Sequence, residues 1–443
     1  MAEFALVDKA ADLFERSSGN KLHRDPVTGK CKVLPLGRWR NTLQQEDIGF
    51  PYLRISDQLS MVGVELTASW QSTRKINNDD LQNRVTNCIG AWKAGKFLPL
   101  VSRPHSLNTY CMSKVWFRTS SVDLREGDIT AINSKVKSYC YQDLLQKPSE
   151  LILFRRVQDG GLGLHNLRCK SLAHLISTFL LTAANKNYQQ SLYSSWLYRY
   201  HVERDTRLPD PGFPPYYSPT FFKIIREVKE DTALNPIFLT VKQWYSYLLE
   251  NLVTTREIDQ EGRREPIPCR IEIQSPTIQW GESYRLSRIH GISPSSKSFL
   301  FKLLHQLLPS RERVHRLIPA NSPQCWCDSG DLETYHHCFY SCIKNREAAD
   351  SMLRCARVYD TSLTAEKSLT LQVSADEAFM LATITILTTG LEIIWANRQL
   401  KKATTPHMIR AELECAVTIK RRSRYRRIRE VGDVIQNVLS NFF

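Results

Sequence analysis

A mainly helical chain with a small mixed α/β segment at its start is the fold class this sequence predicts, on three observations. Apolar residues recur at helical spacing through most of the 443 positions. Strand-like alternation is confined to the stretch before residue 68. Prolines and charged runs then cut the helical pattern into segments. With 42% hydrophobic and 10% aromatic residues the chain can bury real cores, which excludes wholesale disorder. Its formal net charge of +15 favours a polyanionic partner.

Phe4, Val7, Ala11 and Phe14 predict a helix over 4–16, stopped by Ser17-Ser18-Gly19-Asn20. Lys32 to Leu36 reads as extended, and Met61 to Leu66 alternates as one short strand. From Asn78 the period becomes helical. Asp79 and Asp80 are expected to cap a helix carrying Leu81, Val85, Cys88 and Ile89 on one face. Helices follow over 106–117, 128–145 and 167–184. Gly160-Gly161-Leu162-Gly163 lacks the Lys-Ser/Thr of a phosphate-binding loop and reads as a tight turn. Five prolines between 209 and 219 make a connector. Helices are expected again at 221–229 and 240–252, a charged linker over 256–268, and an amphipathic helix over 298–308. The expected organisation is 1–68, 69–205, 206–297, 298–345 and 346–443.

The apolar stretch 378–396 contains four threonines, a glycine and Glu392, which argues for a buried helix and against a membrane span. Met1 to Asp8 has no basic region before an apolar core, so no signal peptide is expected. Twelve cysteines, scattered singly outside 325–342, read as reduced thiols of an intracellular protein in the cytoplasm or nucleus.

Two clusters carry chemistry. Cys325-Trp326-Cys327 and His337 to Cys342 bring soft ligands to the two ends of a short loop, the donor set zinc prefers. Cys-x-Cys is one residue tighter than the usual Cys-x2-Cys, and Cys338 and Cys342 also fit two buried thiols on one helix face. A structural zinc would contribute on the order of 10 kcal/mol to folding. The second cluster is Lys420, Arg421, Arg422, Arg424, Tyr425, Arg426, Arg427 and Arg429. On one helix these cations suit phosphates, and six contacts would give log K against log salt a slope of roughly −5; a solvated helix is the other reading. Asp79-Asp80 lacks the flanking apolar strands of a polymerase hairpin, and no nucleophile set stands out. No catalytic residue is expected.

The order of these segments resembles the reverse transcriptases of LINE-type (non-LTR) retrotransposons. Ser18 to His23 and Lys30 to Gly37 are similar to the palm segment after the catalytic hairpin, with His23 in place of the usual Asn and an insertion at Asp25 to Gly29. Met61 to Leu66 resembles the primer-grip segment. Gly160 to Leu164 resembles a turn downstream of the thumb. Cys325-x-Cys327, Glu333-Thr334-x-x-His337 and Cys342 resemble the family's zinc-binding segment, and Leu391 to Arg398 its closing Trp-x-x-Arg helix. The resemblance implies a palm remnant over 1–68, a helical thumb over 69–205, a proline-interrupted linker, a zinc segment and basic C-terminal helices. It implies Cys325, Cys327, His337 and Cys342 as structural zinc ligands, with Cys338 as a possible substitute, and RNA or DNA as partner without a membrane. The family's catalytic carboxylates would lie upstream, in a missing polymerase and endonuclease portion, so no polymerase activity is expected of this chain alone. A domesticated scaffold with a structural zinc site, or a degenerate copy, is the alternative.

Overall fold

A computed structural model describes residues 32–35, 42–48, 53–61, 63–94, 98–185, 189–211, 217, 219–231, 235–257 and 264–442, with isolated positions before 17. The helix expected over 4–16 and the segment from Ser18 to His23 lie outside the described residues as elements. The chain divides into two compact units. Unit 1 is Met1–Trp92, Thr109–Lys135 and Asn166–Leu252, and unit 2 is Lys93–Asn108, Val136–His165 and Val253–Phe443. Both are mainly helical, as the period of the sequence predicts.

In unit 1, β1 (Lys32–Val33) pairs in parallel with β2 (Arg54–Ile55), while β3 (Gln58–Met61) and β4 (Val64–Thr67) form an antiparallel hairpin. Met61 to Leu66 is therefore the turn and return of a hairpin and not one strand. Gly63, with φ of +78°, supplies the left-handed turn that the alternation conceals.

The helix α1 (Trp70–Ala94) begins well before Asp79, which corrects the expected cap. Asp79 and Asp80 stand in mid-helix. Asp79 accepts from Arg125 at 2.8 Å; Asp80 accepts from Arg84 at 2.7 Å and from Arg118. Burial opposes ionisation of Asp80, but these bonds outweigh it and hold the carboxyl below its usual range. The aspartates thus tie helices together and leave no carboxylate pair for metal chemistry. Asn77 was invisible to the apolar pattern, yet it fastens α1 to the hairpin: its Nδ2 donates to the Glu65 carbonyl at 2.6 Å and its Oδ1 accepts from the Glu65 N–H at 3.0 Å.

The helix expected over 106–117 is broken by a π-turn, Leu107–Cys111, before α2 (Ser113–Thr119). It is followed by α3 (Glu126–Cys140) and α4 (Leu167–Ala184), capped by Asn166. α5 (Gln189–His201), α6 (Pro219–Asp231) and α7 (Val241–Leu249) pack on α4, and Thr240 and Gln243 cap α7 reciprocally. Residues 209–211 run without helix; 212–216 and 218 lie outside the described residues.

Unit 2 corrects another expectation. The charged linker over 256–268 contains a second hairpin, β5 (Thr255–Glu257) with β6 (Arg264–Pro266); 258–263 lie outside the described residues. Then come α8 (Trp280–Ser287), α9 (Pro294–Leu304) and α10 (Arg311–Leu317). The C-terminal bundle is α11 (Arg346–Arg357), α12 (Glu377–Gln399), α13 (Pro406–Arg421) and α14 (Arg426–Phe442). α12 is its axis: α11, α13, α14 and α9 all pack on it. Among the described residues its span Phe379–Gln399 is the one helix long and apolar enough to cross a membrane, and 67% of its most apolar stretch is buried inside the protein. Thr383, Thr385 and Thr388 bond back to carbonyls four residues earlier, which lets three hydroxyls sit in that core.

Gly160-Gly161-Leu162-Gly163 is a tight turn, as its residues suggest. Gly160 has φ of +80°, and a Cβ on Gly161 would collide with the Arg155 carbonyl. Gly161→Ala is expected to destabilise the chain by about 1–3 kcal/mol in chemical denaturation. Gly90→Ala, exposed in α1 with open space around it, should stabilise by about 0.5–1 kcal/mol.

Candidate metal centre

Between α10 and α11 the backbone folds into a knuckle. Gln324 and Leu332 form an antiparallel bridge, and the Cys325 N–H donates to the Asp331 carbonyl at 2.8 Å. Asp328 and Gly330 adopt φ of +62° and +77°, which reverses the chain immediately after Cys327. Two left-handed residues in so short a loop let a Cys-x-Cys pair face one point despite its tight spacing.

The other two donors stand at the start and just past the end of a π-turn, His337–Ser341. The Cys342 N–H donates to the His337 carbonyl at 2.8 Å, an i to i+5 bond. That wider turn brings residues five apart to one side, where an ordinary helix would not. Thr334 starts the turn by accepting from the His337 N–H through its hydroxyl at 3.1 Å.

Cys325, Cys327, His337 and Cys342 are all buried, with ligand atoms within 4.8 Å of one another. The Cys325 and Cys342 sulfurs are 3.8 Å apart; the Cys327 sulfur and His337 Nε2 are 3.4 Å apart. A tetrahedral zinc with its usual bond lengths sets sulfur–sulfur edges of about 3.8 Å and sulfur–nitrogen edges of about 3.5 Å. These two edges match those of a tetrahedral ion, and the group can hold a metal. Nδ1 of His337 faces the Asp331 carboxylate at 3.7 Å, the side from which an acid orients a ligating imidazole. Burial works against ionisation of Cys327, but hydrogen bonds from the Ser329 hydroxyl and N–H and from His337 bring its thiol down to about 6. Burial pushes the Cys325 thiol up.

Cys338 is not in the group. It is buried, and its carbonyl accepts from Asn345 Nδ2 at 3.0 Å. The buried group that can hold a metal is thus Cys325, Cys327, His337 and Cys342, without Cys338.

The turn is anchored from beneath. Glu333 is fully buried, and its Oε1 accepts from the Arg311 N–H at 2.8 Å and from the Arg398 guanidinium. Arg398 also lies over Trp395, 4.7 Å from the ring centre. Phe339, fully buried, meets Trp395, Phe299 and Tyr335 at 6.0–6.5 Å. The sequence singled out Glu333-Thr334-x-x-His337 and Trp395-x-x-Arg398 separately; the fold makes them two halves of one joint.

The basic cluster is arranged otherwise than a single helix. α13 ends at Arg421 and α14 starts at Arg426, so the cations straddle a turn. Lys420 is withdrawn from it: the side chain is buried, donates to the Gly291 carbonyl at 2.7 Å, and burial pushes its amine down to about 8. Arg421, Arg426 and Arg427 pair with Asp433, Glu430 and Glu377 at 2.7–2.8 Å. Arg429 donates to the Ser423 and Arg424 carbonyls, holding the turn. Arg424 lies 5.0 Å over the ring of Tyr425, which is 48% exposed.

No protein-family model matches the chain, and no curated protein matches it.

Purified protein is expected to carry about one equivalent of a tetrahedral metal ion by elemental analysis. Cys342→Ser should drop the content below about half, and Cys338→Ala should leave it unchanged. Arg398→Met, which strands the buried Glu333 carboxylate, should cost about 3–5 kcal/mol of stability in denaturation.

Proposed function

We propose that this chain binds nucleic acid through the arginine turn between α13 and α14, beside a module held together by structural zinc. In this reading it is the C-terminal part of a non-LTR retrotransposon reverse transcriptase, gripping template–primer, element RNA or target DNA without a catalytic centre of its own. Zinc would be held by Cys325, Cys327, His337 and Cys342. It would supply a fixed tetrahedral crosslink in a segment with little core. Four protein ligands leave no open position for catalysis.

The observation that carries the reading is the exposed cluster of guanidiniums on one turn. Six arginines stand in solvent within nine residues, more positive charge than their three carboxylate partners balance, and phosphates would take up the surplus. Their number sets the strength. Six exposed guanidiniums face three carboxylate partners, so three charges are uncompensated. The salt slope on duplex should then be about −3, not the −5 that six free cations would give.

Gel-shift titration with structured RNA at several salt concentrations tests this. Binding at low salt with a slope near −3, lost on replacing Arg422 and Arg424 with Ala, is the expected result. No binding at low salt, with the metal centre loaded, would move the reading to a scaffold whose zinc module docks another protein.

A further inference from the structure

Next to the arginine turn, and within unit 2, lies a cleft of about 770 Å³. Its walls are the His290–Ser293 loop, the first turn of α9, and the facing sides of α12 and α13. That volume lies in the range of sites for small organic ligands, about 300–1,000 Å³.

One wall is held in place. Lys420 donates to the Gly291 carbonyl at 2.7 Å, and Gly291 itself has φ of +101°, with Leu381 so close that a Cβ would meet it at 2.8 Å. The buried lysine, which cannot reach a phosphate, therefore fixes the loop of this cleft.

Two carboxylates line the cleft, Glu392 of α12 and Glu412 of α13. The Ser296 hydroxyl donates to Glu392 Oε2 at 3.1 Å. Burial, with a smaller push from Glu412 against that bond, raises the Glu392 carboxyl to about 7. A ligand with N–H donors would relieve this desolvation. Cations stand near the same space, Lys297 on α9 and Arg422 at the turn. Ile419, 72% exposed, adds an apolar edge. Tyr425 packs edge-on against His290, another lining residue, at 5.7 Å, and Arg424 covers its ring. Aromatic rings and guanidinium planes beside a cationic track are the elements of single-strand recognition.

We propose that this cleft binds one unpaired nucleobase bearing an exocyclic amino group, while the adjoining phosphates run past Arg422 and Arg424. The proposal deepens the nucleic-acid reading and rests on it. Above pH 7, where the Glu392 carboxyl is mostly ionised, carboxylate oxygens accept hydrogen bonds and offer none, so the titration is read at pH 8. Adenine, cytosine and guanine bring an amino group to them. Uracil and thymine bring one ring N–H flanked by two carbonyls, which the carboxylates repel. The site accordingly sorts single strands by amino content and not by phosphate alone.

Fluorescence titration of the full chain with oligo(dC), oligo(dA) and oligo(dT), and with free CMP and UMP, tests it. The expected result is binding of oligo(dC) and oligo(dA) at least tenfold tighter than oligo(dT), the same order for CMP over UMP, and roughly tenfold weaker strand binding for Tyr425→Ala. Glu392→Gln, nearly the same shape but presenting an amide, should cut the dC-to-dT ratio below about threefold, with Glu412→Gln as a second variant. Structured RNA that binds with no dC-to-dT preference, or a preference unmoved by both Gln variants, overturns the cleft and leaves the nucleic-acid reading standing. Preference among free mononucleotides with no RNA binding keeps the cleft and overturns that reading. No binding of any probe overturns both.

Discussion

The buried pair of Glu333 and Arg398 is the constraint on which unit 2 turns. A fully buried carboxylate costs several kcal/mol to desolvate, and it persists only where a cation and further donors meet it. Here the cation comes from α12, stacked on Trp395, and the further donor is the Arg311 N–H. One carboxylate oxygen thus joins α10, the segment leading into the His337–Ser341 turn and the axial helix of the bundle. Thr334, next in sequence, starts the π-turn that aims His337 and Cys342 at the two thiols of the knuckle. Shifting Glu333 would move these two donors with it.

That joint also explains why a segment so rich in turns can be placed firmly. The knuckle carries few apolar side chains, and Asp328 and Gly330 hold left-handed backbone with no helix or sheet around them. A tetrahedral ion would close the loop at one end, while Phe339 and Tyr335 fill the aromatic contact with α9 and α12 at the other. Beyond the bundle, the α13–α14 turn holds the arginines outward and lets Lys420 fold inward. Two neighbouring cations so acquire opposite roles, one in solvent and one fixing a loop.

Much of the helical order was legible from periodicity. Leu167–Ala184 follows from its apolar spacing and its Asn166 cap, and the apolar stretch 378–396 proved to be a buried helix because threonine hydroxyls can bond back to their own turn. The misreadings share a cause. Asp79-Asp80 suggests a helix start because aspartates are good caps, but the Trp70–Ala94 helix uses them as ion-pair partners for Arg84, Arg118 and Arg125, which lie up to 46 residues away. Met61 to Leu66 alternates as a strand would, yet Gly63 turns it, since a hairpin partner is a long-range fact. The charges of 256–268 hid a second hairpin for the same reason.

The sequence by itself determined the helical class, a cluster of soft donors over 325–342 and the excess of positive charge, because each depends on residue type and near spacing. Tertiary structure decided which cysteine stands outside the metal group, which cations remain in solvent, and that a carboxylate-lined cleft opens beside them. Those outcomes rest on contacts between distant segments, such as Lys420 with Gly291 and Glu333 with Arg398. A linear pattern encodes which groups a chain owns; desolvation and ion pairing in the packed state settle which of them a ligand can reach.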